Sequence, residues 1–189
     1  MQRRHLLGLS LSLCAADRTA LAQSSARPHA DRIVLPPERR IFGSPSGRFE
    51  LTLESRDGWR SREALATMRL LANGSPTVWH KILPHERGPR HVLVTDTGET
   101  VLVDEWINVA SRYALVLLAA DGRELARYGF DALVQLLGVP RRAVSEHARL
   151  GIWLSAPPSV ATDGRSVRFE VAGRTLTLRL SDGVLQAEQ

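Results

Sequence analysis

The chain has 189 residues, 43% of them hydrophobic, with one cysteine and a formal net charge of +5. A lone cysteine forms no internal disulfide, so the fold rests on its core, and a domain of this length buries roughly 70% of the surface its unfolded chain exposes. The charge excess is too small for the basic stripe that a nucleic-acid surface needs, and no apolar run reaches the roughly 20 residues of a membrane-spanning helix.

In chain order, the first element is a signal peptide over residues 1–22. Arg3 and Arg4 form a basic start, Leu6 to Ala16 is a short apolar run, and Ala20-Leu21-Ala22 offers a small-x-small cleavage site before Gln23. The expected mature protein is periplasmic or secreted. Gln2-Arg3-Arg4-His5-Leu6-Leu7-Gly8 resembles a twin-arginine motif without its Ser or Thr, and Arg18 stands where such signals often place a basic residue. Both the general secretory and the twin-arginine routes therefore stay open. Leu11-Ser12-Leu13-Cys14 resembles a lipobox, but Leu13 occupies the place of a small residue, which makes lipid attachment at Cys14 the weaker alternative. Cleavage after Ala22 removes Arg3, Arg4, Arg18 and Asp17, which reduces 25 basic and 20 acidic residues to 22 and 19. Lys81 is the sole lysine, so the basic character is almost entirely arginine.

Residues 23–40 are rich in Ser, Pro, Ala and charge and predict a flexible leader. From Ile41 onward, residues 41–189 predict a single β-rich domain. Phe49, Leu51 and Leu53 alternate with polar residues, as do Val167, Phe169 and Val171, and Leu176, Leu178 and Leu180, and Val92 with Val94 and Val101 with Val103 repeat the spacing. That period of two marks strands with one buried face. Ser46-Gly47, Thr97-Gly98 and Asp163-Gly164 each precede a clear strand, and Asn73-Gly74, Asp121-Gly122 and Asp182-Gly183 each follow an apolar segment. Such pairs supply the positive φ that tight hairpins demand. Pairing the two sets predicts three units, Ile41 to Leu83, His91 to Phe130 and Trp153 to Gln186, each a four-stranded antiparallel meander.

A four-stranded meander of about forty residues has the size of a β-propeller blade. Ser44-Pro45-Ser46-Gly47-Arg48-Phe49, Val94-Thr95-Asp96-Thr97-Gly98-Glu99 and Ala161-Thr162-Asp163-Gly164-Arg165 resemble the Ser-Pro-Asp-Gly-Arg turn of WD-repeat-like propeller repeats. Leu117 to Leu125 is similar to the later hairpin of such blades. The Gly-His and Trp-Asp pairs of the WD-repeat signature are missing, and three units are fewer than the four to eight that close a ring. The resemblance implies a mainly β fold in about three blade-like units, open rather than closed.

Two segments interrupt the pattern. Asp131 is placed to cap a short helix carrying Leu133, Val134, Leu136 and Leu137 and ending at Gly138 and Pro140, and a second helix is expected from Arg141 to Arg149 with Val144, His147 and Ala148 on one face. Ser61 to Ala72 consists largely of good helix formers, yet the repeat requires Ala66 to Ala72 to be a strand. The repeat is followed.

Few residues suggest chemistry. His80, His85 and His91 lie close in sequence with Glu86 among them, but the spacing matches no ordinary metal motif, and Pro84, Gly88 and Pro89 predict an exposed connecting loop. Asp104-Glu105-Trp106-Ile107-Asn108 closes a strand of the middle unit. Neighbouring carboxylates on a strand point to opposite faces and do not form the facing pair that glycoside hydrolysis needs. Asp104 or Asn108 is expected to hydrogen-bond the connecting loop, with Trp106 packing at the sheet end. As a ligand-binding rim, the segment contributes Asp104, Glu105, Trp106 and Asn108. Gly43-Ser44-Pro45-Ser46-Gly47 has Pro45 where a nucleophile elbow places its Ser, and no glycine loop is placed to cradle phosphates. No catalytic residue and no cofactor are assigned. The expectation is an exported, non-enzymatic protein that binds or scaffolds an envelope protein or ligand. The alternative is a secreted hydrolase in which Asp104, Glu105, His85 and His91 converge.

Overall fold

The computed structural model describes residues 34–72 and 74–188. The signal peptide, Cys14 and most of the leader lie outside them, as does Asn73 of the first unit's second turn.

Among the described residues, twelve strands form three four-stranded sheets, every one an antiparallel meander in chain order. The first sheet holds β1 (Arg39–Gly43), β2 (Phe49–Ser55), β3 (Ala64–Leu70) and β4 (Thr77–Ile82). The second holds β5 (Pro89–Val94), β6 (Thr100–Glu105), β7 (Leu115–Leu118) and β8 (Glu124–Tyr128). After α1 (Phe130–Leu137) and α2 (Arg141–His147), the third holds β9 (Ser159–Val160), β10 (Ser166–Val171), β11 (Arg174–Arg179) and β12 (Leu185–Glu188). The sheets are blade-like and do not close into a barrel or a propeller among the described residues.

The middle sheet is buried on both faces, which explains its run-on apolar sequence. On β6 and β7, Leu102, Val116 and Leu118 pack with Phe49, Leu51, Leu53, Met68 and Trp79 of the first sheet. The alternate residues Val101, Val103, Leu115 and Leu117 join Phe169, Leu176 and Leu178 of the third sheet. Helix α1 adds Phe130, Leu133 and Leu137 to this second core, and α2 adds Val144. The far face of the third sheet carries Arg168, Glu170, Arg179, Gln186 and Glu188, all exposed, and so ends the stack with a polar surface.

The first hairpin turns of the three units are built alike. Gly47, Gly98 and Gly164 donate their amides to the carbonyls of Ser44, Thr95 and Ala161 at 2.8, 3.2 and 2.8 Å. Gly98, at φ 95°, leaves no room for a side chain, because a Cβ there would stand 3.1 Å from Phe49 and Ala120. Asp96 Oδ1 accepts from the Ser46 amide at 2.8 Å, so the second unit's turn caps the first's. Residues of all three turns line a cavity of about 840 Å³.

Four expectations need correction. The leader ends earlier than expected: β1 starts at Arg39, and the chain before it is fastened by Trp59 Nε1 donating to the Pro36 carbonyl at 2.9 Å. The third unit begins at Ser159 rather than Trp153, since Pro157 and Pro158 lack the amides a longer strand would need. Trp153 is instead fully buried against Phe169, ring centroids 5.4 Å apart. The N-cap of α1 is Gly129, not Asp131, which lies in the first turn and pairs with Arg141 at 2.6 Å. Finally, α2 stops at His147, which is exposed, while Ala148 is extended and Val144 alone of the expected face is buried.

Helix propensity loses at Ala64–Leu70. Pairing with β2 on one side and β4 on the other, together with complete burial of Ala64, Ala66 and Met68, overrides it.

Candidate functional site

The strand β6 runs from the turn cavity at its start to a second group of side chains at its end. There the four predicted rim residues separate. Asp104 adopts φ 56°, a strained value for a residue with a side chain. Its Oδ1 accepts a hydrogen bond from Trp153 Nε1 at 2.7 Å and its Oδ2 one from the Ile152 amide at 3.4 Å. Its side chain is thus tied to the segment before β9, not to the loop after β6. Burial pushes its carboxyl up to about 6, against the opposing pull of those two donors and the Arg90 charge.

Glu105 is 6% exposed, and its Oε2 has no hydrogen-bond partner among the described residues. Burial raises its carboxyl to about 7. The Glu86 amide and the Ser111 hydroxyl oppose the rise, and the Glu86 and Asp104 carboxylates add to it. The side chain lines a cavity of about 400 Å³ together with Pro84, Glu86, Ile107, Val109, Arg112 and Tyr113. The wall has an inner support. Buried His85 donates Nε2–H to the Tyr113 carbonyl at 3.1 Å and tilts against its ring at 5.5 Å. Burial lowers this imidazole to about 4, so it is neutral at pH 7. Arg112 lies over the Tyr113 ring, 4.9 Å from its centroid.

Trp106 faces a separate depression. Its Nε1 donates to the Val34 carbonyl at 2.6 Å, and the Arg40 and Arg90 guanidinium groups stand 4.9 and 5.5 Å from its ring centroid. Arg90 Nη2 also donates to the Trp106 carbonyl at 2.6 Å. With Val34, Arg90, Ile107 and exposed Asn108, Trp106 lines a hollow of about 330 Å³. Ile107 borders both depressions.

The histidines do not gather. His80 is exposed on β4, His85 is buried behind Tyr113, and His91 lies half-buried on β5, its pKa lowered by burial and then by the Arg90 and Arg40 charges. Among the described residues, no three His, Cys, Asp or Glu side chains are placed to hold a metal ion. The expectation of an exposed loop at Pro84 to Arg90 fails. His85, Arg87, Gly88 and Pro89 are buried, because the loop is pinned by Arg87 N–H to the Arg62 carbonyl at 2.7 Å and by Arg40 Nη2 to the Pro89 carbonyl at 2.8 Å.

The sequence reading missed Tyr113, Arg112, Ile107 and Val109. The available signal was Ile107 and Val109, two apolar residues in a connection that needs none.

No protein-family model matches the chain, and no curated protein gives a significant match.

Proposed function

We propose that this protein is an exported, non-enzymatic binding module of the cell envelope, and that its ligand occupies the cavity lined by Glu105. One observation carries the reading: the buried residue Glu105 lines, with Pro84, Ile107, Val109 and Tyr113, a hollow of about 400 Å³, large enough for a small molecule. Mostly apolar walls with a few polar groups are the usual make-up of a small-molecule site. Export rests on the basic start, apolar run and cleavage site of residues 1–22, and a periplasmic or secreted location follows from it. The repeated turns of the three blade-like sheets support kinship with propeller repeats. None of the described helices is long and apolar enough to cross a membrane.

A hydrolase would need Asp104, Glu105, His85 and His91 around one cleft. Of the four, Glu105 alone lines the 400 Å³ cavity, while Asp104 is engaged by Trp153 and His85 by Tyr113. The binding reading is therefore preferred.

The test is to incubate the purified protein with an extract of envelope small molecules, recover it by gel filtration, and identify what it releases on denaturation. A compound retained by the wild type and lost from the Val109→Arg protein, whose new side chain fills the cavity, supports the reading. Equal retention by both proteins, or none by either, refutes it.

A further inference from the structure

We propose that the outer face of the first sheet docks on the same face of a second copy of this chain. The dimer is two-fold, with its axis along the strands between β2 and β3. It is independent of the cavity at the end of β6.

The stack of sheets ends differently on its two sides. The far face of the third sheet carries Arg168, Glu170, Gln186 and Glu188 and, among the described residues, no apolar side chain. On the first sheet, Leu51, Leu53, Ala66, Met68 and Trp79 turn toward the core, so their neighbours along each strand point outward. Register aligns Ile41 with Thr52, Thr67 and His80 across that outer face, and Leu65 with Ile82 beside them. Ile41 is 52% exposed, Ile82 45% and Val78, on the same edge strand, 42%. A stack of repeats ends in water on a polar face, which the third sheet has and the first sheet lacks. Contiguous exposed apolar side chains mark a surface that meets another protein.

Charge selects the partner and its orientation. Glu50 and Arg69 stand opposite each other on β2 and β3, and neither joins an ion pair among the described residues. An axis along the strands sets β2 of one copy over β3 of the other and β1 over β4. Each Glu50 then meets Arg69 of the second copy, so opposite charges face each other at two contacts. An axis across the strands instead sets Glu50 over Glu54 of the second copy, a like-charge contact. Arg39 and Glu54 neutralise each other at 3.2 Å, so they bring no net charge to the apolar side chains beside them. Four strands about 4.8 Å apart make a face about 20 Å across, and two such faces withdraw on the order of 1,000 Å² from solvent, the least that a specific interface needs.

Sedimentation velocity of the purified protein over a concentration series reads the association. The wild type is expected to pass from monomer to dimer as concentration rises. Ile82→Arg, at an exposed position, is expected to weaken the dimer at least about tenfold, and Gln186→Arg on the far face of the third sheet to leave it unchanged. Glu50→Arg and Arg69→Glu each put like charges at two contacts, and each alone is expected to weaken the dimer at least about tenfold. Mixing these two variants restores opposite charges at both contacts and is expected to recover the dimer. A wild type that stays monomeric up to about 1 mM overturns the proposal, whether the leader or another protein takes the face. So does a dimer indifferent to Ile82→Arg, or a mixture that fails to associate while both variants keep the wild-type circular dichroism spectrum.

Discussion

Replacing Glu105 by Gln changes how stability depends on pH, by an amount that follows from its surroundings. The carboxyl is held at about 7 in the folded protein against 4.5 in the unfolded chain. Because the folded value is the higher, its contribution to stability is fully present below about 4.5 and is lost as pH rises through about 7. The full difference corresponds to roughly 3 kcal/mol, discounted to about 2 kcal/mol because the cavity admits water to one side of the group. Asp104, raised to about 6, acts in the same direction; His85, lowered to about 4, acts in the opposite one. Both are present in the wild type and the variant, so they largely cancel in the comparison. Urea titrations followed by tryptophan fluorescence at pH 5 and pH 8 measure it directly. Glu105→Gln is expected to gain about 2 kcal/mol on the wild type between pH 5 and pH 8. An unchanged stability difference at the two pH values would refute the claim that burial holds this carboxyl near 7.

Other substitutions probe the frame around the site. Trp153→Phe removes the Nε1–H that Asp104 accepts at 2.7 Å in a buried setting, and is expected to cost about 2 kcal/mol in a denaturant titration at pH 8. Gly122→Val would put a Cβ 2.8 Å from the Trp79 ring at φ 82°, whereas Gly164→Val at φ 67° meets open space; the first should lose about 2 kcal/mol or more and the second about 1. Gly88→Val belongs with the costly group, since its Cβ would stand 2.9 Å from the Arg40 guanidinium and 3.2 Å from Ala64. N-terminal sequencing of exported material should begin at or near Gln23, and replacing Arg3 and Arg4 by Lys should stop export by the twin-arginine route while leaving the general route open.

What the chain reveals of itself follows from the range of the forces involved. Hairpins are local: Thr97-Gly98 and Asp121-Gly122 announce their turns within a few residues, and alternation at Phe49, Leu51 and Leu53 announces a half-buried strand. The repeat carried the argument through Ala64–Leu70, where propensity pointed to a helix. Ile152, Trp153 and Leu154 have the apolar look of a strand, but Pro157 and Pro158 hold the first strand of the third unit to Ser159–Val160. The cavity was beyond reach of local reasoning. Its lining joins Pro84 and Glu86 to Glu105 and then to Tyr113, and nothing in the loop sequence shows that His85 turns inward to donate to the Tyr113 carbonyl. Asp104 and Glu105 were found as a pair, but their different fates depend on Trp153, nearly fifty residues away, reaching one and not the other.

The central claim is that the buried Glu105 carboxyl stands at a cavity that takes a ligand. A ¹³C NMR pH titration of its side-chain carboxyl, in the wild type and in Val109→Arg, tests it most directly. The account predicts a midpoint near 7 that falls in Val109→Arg, whose guanidinium enters the cavity. A midpoint near 4.5 in both proteins would contradict it.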